Sequence, residues 1–225
     1  CAVLIRCDDS ACWHFVPYLH GMPDLVDRRH EQTRAEIADA AVTLFATHGF
    51  AETTMDEVAE AAGVSRRTIY RHFSSKDDLV FEQPRRWLVV FNDQVGDPGP
   101  GETQRERCRR ALVAVGRHIQ DHAEPIATAY GVMLATPSLH GYNGRTEDEW
   151  LLRYIELLMP PEPVRPERAL QVATVAGALV GTTKTLVALW AAGQPHTDME
   201  AMTRAALDQL NPIWPDWLAA SPALA

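Results

Sequence analysis

Apolar residues recur along most of this chain at helical spacing. From Thr33 onward, Ile37, Ala41, Leu44 and Phe45 fall at i, i+4, i+7 and i+8, the stripe of an amphipathic helix, and His48-Gly49 supplies a C-cap able to take a left-handed conformation. Thr54-Met55-Asp56-Glu57 is a capping box that opens a second helix through Val58 and Ala62, stopped by Gly63. Ser65 is an N-cap for a third helix beginning at Arg66. A fourth helix starts after Ser74-Ser75 and carries Leu79, Val80, Trp87, Leu88 and Phe91, with a kink or break expected at Pro84. GDPGPG at 96–101 then reads as a linker. Beyond it the spacing predicts helices near 102–122, 124–136, 145–159, 166–192 and 197–210, with MPPEPVRP and GQPHT as stops. No alternating strand pattern stands out, so the predicted fold class is all-α.

Two short helices joined by a glycine turn make a helix-turn-helix. On the third helix Ile69 and Phe73 share one face, four residues apart. At about 100° per residue Arg67 and Arg71 point away from that face, with Arg66 and Tyr70 on its flank. The outer side is therefore cationic and aromatic. Charge bears on this because the chain carries 21 basic and 30 acidic residues, a net charge of -9, and would as a whole repel a polyanion. Within Val64–Lys76, however, Arg66, Arg67, Arg71 and Lys76 stand with no acid among them. A nucleic-acid site must be that local patch, unless the run is only a solvated face.

The rest of the composition narrows the class. Cys1, Cys7 and Cys12 lie in the first dozen residues and Cys108 stands alone, a spacing that fits no common zinc pattern. The run CAVLI is too short for a signal-peptide core, and the pattern offers no membrane span, so the expectation is a cytoplasmic protein with reduced thiols. Residues 1–27 read as a disordered extension, Met22 being followed closely by the first periodic helix. His118 and His122, four apart, have a spacing compatible with a metal. Without a Glu inside the pair or cysteines nearby they read as solvated or hydrogen-bonded histidines, and no cofactor is expected. Arg105, Arg107, Arg109 and Arg110, interspersed with Glu102 and Glu106, read as a solvated face. No nucleophile elbow, zinc-protease, P-loop or dinucleotide motif is present, so an enzyme is not the expectation. The rival is a helical adaptor or ligand-binding protein without specific DNA binding.

Thr54-Met55-Asp56-Glu57-Val58-Ala59 followed by AAGVSRRTIYRHFSSKDDL is similar to the N-terminal DNA-binding domain of the TetR family of transcriptional regulators. The likeness spans about 28–80 and leaves 81–225 as a helical effector-binding and dimerisation domain. It implies a third helix in the major groove of double-stranded DNA, with Arg66, Arg67, Tyr70 and Arg71 at base-reading positions and Thr54, Thr68, Tyr70, His72 and Lys76 on phosphates. The family usually has a small residue where Arg67 stands, so the base preference is this chain's own. It further implies a homodimer on a palindromic operator. Helix 166–192, with Ala173, Ala176, Gly177, Ala178, Gly181 and Thr182 as small residues and Leu179, Leu186, Leu189 and Trp190 as knobs, would pack with helix 197–210 against the partner. Read on its pattern alone, the lesser alternative is that this helix is the central core helix of a monomer. Trp87, Phe91, Tyr130, Met133, Trp150 and Tyr154 are core residues by type; the resemblance implies that some line a ligand pocket. ATPSLHGYNGRTEDEWLLRYIELL, with the later LWAAG, resembles the acyl-CoA-like ligand-binding subgroup associated with mycofactocin regulators. The implied effector is a small hydrophobic or amphipathic compound, of which an acyl-CoA is one candidate.

Overall fold

The computed structural model describes residues 3–6, 13–16, 27–96, 99–139, 143–160, 162–193 and 197–220. Eleven α-helices are described: α1 (Asp27–His48), α2 (Met55–Ala61), α3 (Arg66–His72), α4 (Lys76–Val80), α5 (Glu82–Val95), α6 (Gln104–Asp121), α7 (Ala123–Ala135), α8 (Asn143–Leu158), α9 (Pro166–Gly193), α10 (Met199–Gln209) and α11 (Asp216–Ala220). The helical expectation holds with boundaries within a few residues, and α11 is added.

One element departs from the disorder expected of the N-terminal segment. Val3–Arg6 and Trp13–Val16 pair antiparallel as β1 and β2, with Val3 opposite Val16 and Arg6 opposite Trp13. VLIR and WHFV are rich in β-branched and aromatic residues, which favour a pleated strand even in runs too short to display alternation. The rest of the expectation for residues 1–27 lies outside the described residues, apart from Asp27, which begins α1.

The break near Pro84 falls at Phe81, between α4 and α5. A proline ring clashes with the carbonyl four residues earlier, which here belongs to Val80, the last residue of α4. Pro84 itself sits in the first turn of α5, where its missing N–H has no helical partner to lose.

Two apolar cores result. Ile37, Ala41 and Phe45 of α1 close on Val58 of α2, Ile69 and Phe73 of α3, and Leu79 to Phe81. The second core gathers Trp87 and Phe91 of α5, Cys108 and Leu112 of α6, Tyr154 of α8 and Val172, Leu179 and Trp190 of α9. Helix α7 belongs to both: Ile126 packs in the second core, while Val132 and Met133, less than two turns on, pack in the first. Cys108 is fully buried, and burial pushes its thiol up to about 12, which makes it inert.

Candidate nucleic-acid interface and effector pocket

Local chemistry explains why the reading helix sits where it does. The Glu57 backbone N–H donates to Thr54 Oγ1 (3.2 Å) and the Thr54 N–H donates to Glu57 Oε2 (2.7 Å), completing the capping box of α2. At its far end the Val64 N–H donates to Ala59 O (2.9 Å) and the Gly63 N–H to Glu60 O (3.0 Å), a Schellman closure. That closure needs the φ of +65° at Gly63. Ser65 then caps α3, its Oγ accepting from the Thr68 N–H at 3.1 Å.

On α3, Ile69 and Phe73 are buried, and Arg66, Arg67, Tyr70 and Arg71 are exposed. Arg66 is held loosely, 3.3 Å from Asp56 Oδ1, with its guanidinium 5.8 Å from the Tyr70 ring centre. Thr54 is exposed at the start of α2, and Thr68 is half-buried with its hydroxyl 2.8 Å from that of Ser65. These six side chains are gathered on the helix-turn-helix.

The other two of the anticipated set are elsewhere. His72 is buried, its ring centre 4.0 Å from that of His30, and its Nδ1 has no partner. Burial, then the charges of His30, Arg71 and Arg34, hold its pKa below the usual histidine value. A neutral ring turned into the protein is no phosphate contact. Lys76 Nζ donates to the carbonyls of Phe50 (2.7 Å), Ala51 (3.1 Å) and Thr53 (2.8 Å). All three ammonium hydrogens are thereby used, so Lys76 ties the α1–α2 loop to α4 instead of reaching for a phosphate. Both exceptions follow one physical pattern: helical phase alone places a Cβ, and a neighbouring element decides what the rest of the side chain does.

Arg34 of α1 anchors the end of α3. It lies 4.2 Å from the Phe73 ring centre, donates through Nη1 to the His72 carbonyl, and donates through Nε to Glu82 Oε2 at 2.6 Å. Glu82 opens α5 and also accepts from Arg85 Nε (3.1 Å).

Helix α5 leads to the second site. A recess with a cavity volume of about 70 Å3, open at its mouth, is lined by Pro84 and Trp87 of α5, Tyr130 of α7, Thr146, Glu147, Trp150 and Tyr154 of α8, and Val180, Thr183, Lys184 and Val187 of α9. Four of the six anticipated aromatic or soft residues are here. Phe91 lies behind the wall, its ring 5.4 Å from both Trp150 and Tyr154. Met133 does not line the recess; it faces the first core, because α7 has turned by then toward α1. Pattern reading missed the α9 residues, although Val180, Thr183, Lys184 and Val187 form an i, i+3, i+4, i+7 stripe.

Two polar atoms in this wall lack partners. Trp87 Nε1 and Tyr154 Oη are buried and make no hydrogen bond. Leaving such a donor unsatisfied costs about 1–3 kcal/mol. Burial raises the Tyr154 pKa well above 10, with the Cys108 thiol adding to it; Thr183 lies close enough to oppose the rise slightly, but its hydroxyl donates to Leu179 O at 2.8 Å. The phenol is a neutral donor. At the rim Lys184 Nζ lies 2.6 Å from Glu147 Oε1.

The arginines of α6 are internally engaged. Arg109 pairs with Asp208 (2.8 Å), Arg110 with Glu102 (2.8 Å), and Arg105 bonds Asn211 Oδ1. The hydrogen bond from Arg110 holds Glu102 down to about 2. His118 and His122 lie with ring centres 4.3 Å apart, and among the described residues no third acidic, cysteine or histidine ligand joins them.

Fold and site together define a DNA-binding protein of the helix-turn-helix class with a larger helical body. Residues 37–82 match the TetR_N family of bacterial regulatory proteins. The chain is 30% identical over 118 residues to the putative mycofactocin biosynthesis transcriptional regulator MftR of Mycobacterium tuberculosis, a match covering 52% of this chain and 60% of that one. It is 28% identical over 211 residues to the HTH-type transcriptional regulator TcmR of Streptomyces glaucescens, covering 87% and 90%. The fold is similar to that of FadR from Bacillus subtilis in complex with stearoyl-CoA, with a TM-score of 0.56 over 83% of this chain and 98% of that one at 17% identity. The family match thus covers the helix-turn-helix segment, and the likeness to a transcriptional regulator extends over most of the chain.

Proposed function

We propose that the protein is a ligand-responsive repressor that acts in the cytoplasm as a homodimer on a palindromic operator. The observation that carries this reading is the exposed set Arg66, Arg67, Tyr70 and Arg71 on a capped helix whose far end is tied, through Arg34 and Glu82, to the helix that walls the recess. Arginine suits base reading because its fork meets guanine O6 and N7 together. Thr54 and Thr68 supply hydroxyls at phosphate height, which fix register without reading sequence.

Dimerisation is supported by α9. At 28 residues, with an 18-residue stretch of mean hydropathy 1.6, it is long and apolar enough to cross a membrane, which the pattern of the sequence had not suggested, yet only 28% of that stretch is buried in the single chain. Leu170, Ala173, Gly177, Gly181 and Leu189 form an exposed stripe, whereas Ala176, Leu179 and Trp190 serve the chain's own core. Small residues on such a stripe let a second helix approach closely. A second copy is the natural cover, since one helix-turn-helix contacts few bases and two are needed about one DNA turn apart.

In the mechanism, a small hydrophobic or amphipathic effector enters the recess and displaces α5 and α7. Glu82 and Arg34 carry the shift to the carbonyl end of α3, and Val132 and Met133 carry it to α1. An effector acts only through a preference for one spacing of the two reading heads. Acyl-CoA is the candidate that the subgroup resemblance suggests; stearoyl-CoA is bound by the FadR neighbour. Footprinting on DNA selected from random duplexes tests the regulator. Protection of two half-sites one turn apart supports it, and equal binding of all sequences favours a helical adaptor. Release of the complex by acyl-CoAs tests the effector, and no release at any chain length removes that candidate.

A further inference from the structure

Resting on the reading of the recess as an effector site, we infer that its ligand is a neutral, flat ring compound carrying a hydrogen-bond-accepting oxygen, a ring ketone or its like, and not an acyl-CoA. Flatness follows from the wall. Trp87, Tyr130, Trp150 and Tyr154 present four aromatic rings from three helices, and such rings favour offset or edge contact with another ring. The cavity volume is only about 70 Å3, which calls for a compact ligand whose remainder lies in the open mouth.

The acceptor follows from the two unpartnered atoms. Trp87 is 6% exposed and Tyr154 fully buried; both residues line the recess, and neither polar atom makes a hydrogen bond of normal geometry, Thr183 being the nearest candidate for the phenol. The indole N–H can only donate. The buried phenol stays protonated and donates too. Phenylalanine would fill either position without an orphaned group, so two donors among the residues of one lining ask for a ligand oxygen.

Neutrality follows from the rim. A coenzyme A headgroup is polyanionic and needs uncompensated cations, but Lys184 is paired with Glu147 at 2.6 Å and the two charges cancel. Among the described residues no other Lys or Arg lines the recess.

The test compares 9-fluorenone with fluorene, which has the same rings but a methylene in place of the carbonyl, and with palmitoyl-CoA. Calorimetric titrations into the full-length protein are run beside DNA-complex anisotropy. Fluorenone is expected to bind about tenfold more tightly than fluorene. In the Trp87→Phe and Tyr154→Phe variants, each checked for an unchanged helical spectrum, that preference should shrink toward parity while fluorene affinity is kept. Equal binding of the two hydrocarbon frames, no binding of fluorenone, or preferential binding of palmitoyl-CoA overturns the inference. If fluorenone binds with the expected preference but leaves DNA affinity untouched, the ligand chemistry stands and the effector reading fails. Should palmitoyl-CoA alone bind and release DNA, the effector reading stands and this inference fails.

Discussion

Arg34 of α1 and Glu82 of α5 meet at 2.6 Å, with the Glu82 side chain fully buried and that of Arg34 17% exposed. The same guanidinium covers Phe73 and holds the His72 carbonyl, so one cation joins the reading helix to the helix that walls the recess. Removing one member of a buried pair leaves an uncompensated charge and costs about 3–5 kcal/mol, toward the lower end here because Arg85 remains beside Glu82. Arg34→Met should therefore lower the urea midpoint by an amount equivalent to about 3 kcal/mol and weaken DNA binding, although Arg34 is not on the reading face. An unchanged melt with unchanged DNA affinity would refute the anchoring role.

Lys76 and Arg71 should behave oppositely. Lys76→Met removes three carbonyl contacts and is expected to cost about 1.5–3 kcal/mol of stability while leaving the salt dependence of DNA binding unchanged. Arg71→Ala should leave stability unchanged and flatten the slope of log K against log salt by about one. Anisotropy at several salt concentrations distinguishes them; a flattened slope in Lys76→Met would restore it as a phosphate contact.

Acid should weaken the fold through its histidines. Burial first, then His122 and Arg86, hold His118 down to about 4, and His72 is lowered as well, chiefly by burial. Between the folded value and the unfolded 6.5 the unfolded chain binds more protons, so stability is complete above about pH 6.5 and is lost as pH falls through about 4. His118→Gln should flatten the urea midpoint between pH 6.5 and 4 relative to the wild type. Parallel pH profiles for the two proteins would contradict this.

Gly181 separates dimerisation from folding. A Cβ built there meets nothing within 4 Å in the single chain, yet the position lies on the exposed α9 stripe. Gly181→Leu should raise helix propensity by up to about 1 kcal/mol and leave the monomer folded. The dimer dissociation constant in sedimentation equilibrium is expected to rise at least about tenfold. A wild-type dissociation constant in that variant would move the interface elsewhere.

Much of this was legible in the sequence because local rules governed it. The capping box at Thr54, the glycine turn at Gly63 and the Ser65 cap each need only neighbouring residues, and they carry the reading head. What escaped was decided between elements. Lys76 has a phosphate-binding position by spacing, but the carbonyls of the α1–α2 loop, more than twenty residues away in sequence, take its hydrogens. Met133 is of the right type for a pocket, but α7 serves two cores and turns that residue to the other one. Lys184 and Glu147 meet only because α8 lies on α9, and neither residue is conspicuous alone. Phe81 marks the break that Pro84 causes, since the clash falls on the preceding turn.

The most direct test of the regulator is fluorescence anisotropy of duplex DNA from immediately upstream of the gene, at near-physiological salt, with wild type and Arg67→Ala. The account predicts saturable, sequence-preferring binding by two chains per site, with Arg67→Ala losing about 1–3 kcal/mol of base discrimination and keeping its non-specific affinity. Equal, weak binding of that DNA, of scrambled duplexes and of duplexes selected from a random pool would contradict it.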